Sequence, residues 1–248
     1  MVVSEGTSGE TKTKLNARYT HLAELISRVM DGQRIDIIPV RDFGVLQDQV
    51  GKQLYDFVFV RPAEPAARAV RDNGYKYVAS GAPDTRCLLI APTGSKVKSA
   101  ADLKNTQLKL VFPEKASYIT RVCLRELKDM QIDTSKLNIN YVKEQGLVVD
   151  YIDHKLADVG ALGSFSKVAK KWTNSGQPVF FKGRPVPIYP LVAGSKINDA
   201  TIGKLQNALG QLHNTEDGRE FFEAVGMESF DTLSAGRLQE SLSWIEKR

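Results

Sequence analysis

Short apolar runs of β-branched and aromatic residues recur along this chain, separated by stretches with helical periodicity. Ile35 to Val40 (IDIIPV) and Phe57 to Val60 (FVFV) are strand-like. Between them, Gly44 to Leu54 carries Val45, Leu46, Val50 and Leu54 near helical spacing. Upstream, Tyr19, Leu22, Ala23, Ile26 and Met30 mark an amphipathic helix that ends near Asp31-Gly32. Downstream, Pro62 to Arg71 is Ala-rich and helical as far as Asn73-Gly74. This β-α-β-α order calls for a mainly parallel sheet, because parallel neighbours need a crossover and a helix supplies it.

The pattern repeats in the middle of the chain. Strands are expected at Cys87 to Ala91, Leu108 to Phe112, Leu137 to Val142, Val159 to Leu162 and Val179 to Phe181. Helices are expected from Ser117 to about Met130, over Val148 to Lys155 and over Ser164 to Trp172. After a strand at Leu191 to Ala193 the chain turns helical. Asn198 or Asp199 caps one helix, Thr215 caps another that ends at Gly226, and Leu238, Leu242 and Ile245 stripe the last. The fold expected is α/β with two lobes, each a mainly parallel sheet flanked by helices. One lobe takes residues 1–88 with 192–248 and the other 89–191, joined by two crossing strands with hinges near 87–92 and 188–193. A cleft between such lobes, lined by the carboxyl ends of strands and the amino ends of helices, is a natural ligand site.

Composition narrows the functions available. The net charge of +5 suits an acidic partner, yet the basic residues are scattered. Even the densest cluster, Lys167 to Lys171, reads as one solvated helix face, so no nucleic-acid partner is expected. No apolar run approaches the roughly 20 residues of a membrane helix. G-x-S-x-G, P-loop, G-x-G-x-x-G and H-E-x-x-H motifs are absent. His21, His154 and His213 fall among polar residues in helical segments and read as surface histidines. An enzyme is not expected, nor a cofactor or a metal. Cys87 and Cys123 read as two buried thiols, although spacing alone does not decide whether they pair. Met1 runs straight into Val2-Val3, a strand beginning. The expectation is a chain that opens near a mature N-terminus, so the missing leader does not argue for the cytoplasm.

Candidate ligand-binding residues lie where strands end. Glu5 to Gly9, which includes Thr7, follows the first strand, and Arg61 directly follows FVFV. Pro113 to Tyr118 is the strongest candidate. A strand ends, a turn with Lys115 follows, and Ser117, Tyr118 and Ile119 open a helix whose N–H groups and dipole attract an anion. Thr85 and Arg86 precede one crossing strand and Arg184 sits beside the other. A guanidinium fork fits a phosphate or carboxylate bidentately.

Several segments, in order along nearly the whole chain, resemble the phosphate/phosphonate-binding periplasmic protein family of ABC transporters, which has a type II periplasmic-binding fold. They are Arg18 to Leu25 (RYTHLAEL), Tyr55 to Ala63 (YDFVFVRPA), Lys98 to Phe112 (KSAADLKNTQLKLVF), Ala157 to Ala161 (ADVGA), Pro185 to Ala193 (PVPIYPLVA) and Thr215 to Gly226. The resemblance implies a monomeric, periplasmic or otherwise extracytoplasmic receptor that serves an ABC permease and closes on a small oxyanion. A sensory or regulatory module of the same fold is the alternative. The family's hydroxyl-rich helix start reads Ala116, Ser117 and Tyr118 here. Its ligand-contacting histidine falls at Gln145, and the acidic residue that reads an amino group falls at Tyr189. The resemblance therefore implies an anion without an amino group.

Overall fold

The protein is described by a computed structural model that covers residues 1–5, 11–104 and 107–247. It divides into two units, Met1–Asp84 with Pro187–Arg248, and Thr85–Val186.

The first unit opens with strand β1 (Val2–Ser4), helix α1 (Lys12–Val29), β2 (Ile38–Pro39), α2 (Phe43–Gly51), β3 (Phe57–Val60), α3 (Glu64–Asp72) and β4 (Lys76–Thr85). In the second unit follow β5 (Cys87–Ile90), β6 (Lys109–Pro113), α4 (Tyr118–Asp129), β7 (Asn138–Val142), α5 (Gln145–Asp153), β8 (Val159–Gly163), α6 (Lys167–Asn174) and β9 (Val179–Lys182). The chain returns through β10 (Val186–Ala193) and ends with α7 (Asp199–Gln211), α8 (Glu216–Val225), β11 (Ser229–Asp231) and α9 (Ala235–Glu246).

The first unit's sheet runs β11-β4-β10-β3-β1-β2. β1 pairs parallel with both β2 and β3, while β10 runs antiparallel to β3. All four residues of β3 are buried, as expected for a strand covered on both faces. Val58 and Val60 join Leu46, Val50, Ala66 and Ala69 in one core layer. Phe59 faces an aromatic cluster, with ring centroids 5.6 Å from Tyr19, 5.5 Å from Tyr189 and 6.0 Å from Phe230. Each such pair contributes on the order of 1 kcal/mol beyond simple burial.

The second unit's sheet runs β7-β6-β8-β5-β9, with β6 parallel to β7 and β8, and β5 antiparallel to β8 and β9. Cys87 at the start of β5 is bonded to Cys123 on α4, with Cα atoms 5.2 Å apart. This corrects the expectation of two buried thiols. Residues 36 apart in sequence become neighbours because α4 packs on the face of the sheet that holds β5.

Two strands escaped sequence inspection. β4 contains Gly81, Pro83 and Asp84, which normally break strands, yet its place between β10 and β11 buries most of it. Gly81 lets neighbours approach closely there, since a Cβ would lie 2.8 Å from the Met227 sulfur and 3.2 Å from the Ile188 carbonyl. β11 has only three residues. The strand expected over Ile35 to Val40 shrinks to the edge pair Ile38–Pro39. Cys87 to Ala91, expected as a crossing strand, lies inside the second sheet, and the chain passes between units at 84/85 and 186/187.

The expected caps form. Asn198 Oδ1 accepts from Thr201 N, Thr215 Oγ1 from Gly218 N, and Gly226 ends α8 with φ of 79°.

Candidate functional site

In the first unit the parallel pairing of β1 and β3 brings their carboxyl ends side by side, and Arg61 N donates to Ser4 O at 2.7 Å. Glu5 and Arg61 therefore emerge next to each other. Continuing the antiparallel register of β10, in which Leu191 faces Phe59, sets Tyr189 opposite Arg61. Glu5 Oε1 accepts from Arg18 Nη1 at 2.7 Å and from the Tyr19 hydroxyl, while Glu5 Oε2 lies 3.6 Å from Arg61 Nη2. Arg61 Nη1 donates to Tyr189 Oη at 2.9 Å, and its Cζ lies 5.4 Å from the Tyr189 ring centroid.

The Glu5 side chain is only 5% exposed, whereas Arg61 is 27% exposed. Burial pulls the Arg61 pKa down, but the negative potential of Tyr189, Glu5 and Tyr19 outweighs it and holds the guanidinium above its usual value. Burial also pushes the Tyr19 phenol well above its usual value. Tyr189 takes a left-handed backbone conformation (φ 48°) that an aromatic residue adopts only at a cost of about 1–2 kcal/mol. Its stack on Phe59 and its bond to Arg61 hold it there. Thr7 lies outside the described residues.

In the second unit β6, β7 and β8 are mutually parallel through β6, so their carboxyl ends share one edge of the sheet. Ser117 follows β6, Gln145 follows β7 and Ser164 follows β8. The antiparallel β5 and β9 bring Thr85, Arg86 and Gly183 to the same edge. Ser164 Oγ accepts from Arg86 N at 2.9 Å and lies 3.5 Å from Thr85 Oγ1. Arg86 Nη1 donates to Gly183 O at 2.8 Å. Gln145 Oε1 accepts from Gly163 N at 2.8 Å, and Ser117 Oγ caps α4 by accepting from Thr120 N at 3.3 Å.

Tyr118 and Ile119 are buried in the first turn of α4, so what they can present from there is mainly backbone. Ile119 packs on Gly163, where an added Cβ would meet it at 3.3 Å. Lys115 is exposed in the turn before Ser117. Arg184 is tied to Glu126 and Asp129, each at 3.4 Å.

Sequence reasoning missed three members of these clusters. Ser164 was read as the start of a helix, but Ser166 caps α6 and Ser164 turns to Arg86. Arg18 and Tyr19 entered only as the opening of a family-like helix segment, Tyr19 also as part of its apolar stripe, and not as partners of Glu5. No local signal marks their tie to Glu5, because Glu5 follows β1, a separate segment.

Residues 6–237 match the family model described as ABC transporter, phosphonate, periplasmic substrate-binding protein. The chain belongs to this family. It is a family of extracytoplasmic transport receptors for small anionic ligands that work with ABC permeases, not a family of enzymes. Among curated proteins no sequence matches. Solved structures with a similar fold include XAC2383 from Xanthomonas citri bound to ATP, with TM-score 0.73 and 16% identity over 99% of this chain and 97% of that one. They also include PhnD1 from Prochlorococcus marinus in complex with methylphosphonate, with TM-score 0.70 and 12% identity over 98% and 96%. The aliphatic sulphonate binding protein SsuA from Escherichia coli has TM-score 0.59 and 13% identity over 98% and 82%. The fold is that of the type II periplasmic binding proteins. Among the described residues of this family member, no helix is long and apolar enough to cross a membrane.

Proposed function

We propose that this chain is the receptor of an importer and closes its two units on a small oxyanion, either a phosphonate, phosphite or phosphate. One observation carries the reading. At the shared edge of the second sheet, Ser117 Oγ, Gln145 Oε1 and Ser164 Oγ each accept a backbone N–H. What these side chains have left to offer there is chiefly their O–H and N–H donors, the complement of the acceptor oxygens of an oxyanion. Family membership supports the same reading, as does the positive end of the α4 dipole beside Ser117.

The magnitudes are consistent with such a set. Micromolar affinity requires about 8 kcal/mol, of which a helix dipole supplies about 0.3–1. Charge-assisted hydrogen bonds contribute about 1.5–3 kcal/mol each, so three to five of them are needed. Ser117, Gln145 and Ser164 with an arginine, Arg61 or Arg86, provide that number. Tyr189 presents a phenol where an amino group would call for a carboxylate, which favours ligands without one.

Calorimetry against methylphosphonate, phosphite, phosphate and sulfate tests the proposal. At least one phosphorus oxyanion is expected to bind at micromolar concentration or tighter. Gln145→Glu, which sets a negative charge among the donors, and Arg61→Ala should each weaken binding tenfold or more. If no anion binds, or if both variants bind as tightly as the parent, the proposal fails.

A further inference from the structure

Away from the clusters described above, the first unit holds a histidine faced by carboxylates from two helices. His21 and Glu24 are three residues apart on α1, and Asp217 and Glu220 are three apart on α8, so each pair shares one helix face. His21 Nδ1 lies 3.9 Å from Glu24 Oε2 and 4.0 Å from Asp217 Oδ2, while Nε2 lies 3.5 Å from Glu220 Oε2. One donor atom from each of His21, Glu24 and Asp217 falls within a 4.8 Å span. Nδ1 is buried and has no hydrogen-bond partner, since both carboxylates stand beyond hydrogen-bond reach.

We propose that this is a binding site for a divalent transition-metal ion of the zinc type, bridging α1 and α8. A proton on Nε2, facing Glu220, leaves the Nδ1 lone pair within 4.0 Å of two anionic groups, an arrangement that a cation among them relieves. Glu220 then takes the place of the outer carboxylate that orients a metal-bound imidazole. Zinc bonds of about 2.0–2.2 Å at tetrahedral angles put neighbouring ligand atoms roughly 3.4 Å apart. Closing on the imidazole from 3.9 and 4.0 Å asks for a shift of about half an ångström, and bringing the two carboxylates together from within 4.8 Å asks for up to about 1.4 Å. The Glu24 and Asp217 side chains, 54% and 52% exposed, are free to make both by rotamer adjustment. Three protein ligands leave a fourth position for water. An imidazole in the set favours zinc, nickel or copper over magnesium or calcium, which prefer all-oxygen sites. This inference does not depend on the oxyanion reading.

The test is calorimetry of the full chain with zinc chloride after removal of adventitious metal, with the cobalt(II) visible spectrum as a second readout. About one zinc per chain is expected, at micromolar Kd. His21→Gln should weaken it at least 100-fold, Asp217→Asn at least tenfold, and Glu220→Gln about 10–100-fold. His154→Gln and His213→Gln should leave it unchanged. Circular dichroism checks that each variant is folded. If His21→Gln is not, Asp217→Asn and the loss of its cobalt spectrum decide the matter. Absence of zinc binding up to millimolar concentration, or unchanged affinity in the Asp217 and His21 variants, would overturn the proposal. The cluster would then be no more than an imidazole among carboxylates.

Discussion

Reducing the Cys87–Cys123 bond perturbs the second unit in a way whose size follows from the chain length it closes. The two residues are 36 apart, and both lie within Thr85–Val186. Releasing a loop of that length returns about 13 cal/mol/K of chain entropy to the unfolded state, or about 4 kcal/mol at 25 °C. Reduction removes no atom from the packing, so no cavity cost is added. With a urea dependence of about 1–3 kcal/mol/M, the unfolding midpoint of this unit should fall by roughly 1–4 M. Trp172 on α6 reports this unit and Trp244 on α9 reports the other, so Trp244→Phe isolates the relevant fluorescence. Urea titrations with and without dithiothreitol, with thiol counting to verify reduction, measure the shift. A change below about 1 kcal/mol at Trp172 would refute the reasoning, as would an equal loss reported by Trp244 in a companion Trp172→Phe variant.

Other perturbations follow from the same structure. Tyr77 donates to Asp231 O at 2.8 Å, and burial, the largest influence on it, pushes its phenol up to about 12. The unfolded phenol ionises near 10 while the folded one keeps its proton. Stability should therefore be complete below pH 10 and fall between pH 10 and 12, by up to roughly 2–3 kcal/mol. Absorbance titration of the folded protein should show one fewer late-ionising tyrosine in Tyr77→Phe, and a Tyr77 step near pH 10 would contradict this. Glu5→Gln removes the charge shared by Arg18, Tyr19 and Arg61, and should cost about 1–3 kcal/mol in urea unfolding. A loss under about 0.5 kcal/mol would mean the network is not held as described. Gly218→Ala sets a Cβ 1.8 Å from the Leu212 carbonyl oxygen, and a loss of about 3 kcal/mol or more is expected. Unchanged thermal unfolding would show that this turn yields freely.

Local structure around the candidate residues was legible where a single segment contains the whole signal. A strand, a short turn and a hydroxyl residue before a helical pattern identify Ser117 as the α4 cap, because capping is decided by neighbours three residues away. The place of Arg61 at the carboxyl end of β3 was legible for a similar reason, since it directly follows a strand-like run. Ser164 and Arg86 were not recognised as partners. Their two hydrogen bonds come from the antiparallel register of β5 and β8, which lie far apart in the chain. The tie between Glu5 and Arg61 likewise depends on β1 lying beside β3.

By itself the sequence determined much of the alternation of strands and helices, the caps at Ser117, Asn198 and Thr215, and the family, because periodicity and capping are local and family motifs are linear. Only the tertiary structure decided that β4 is a strand despite Gly81 and Pro83 and that Cys87 bonds Cys123. The same is true of the convergence of His21 and Glu24 with Asp217 and Glu220. Those outcomes depend on which elements become neighbours. Burial and register across distant segments settle that, and no local window of residues carries the information.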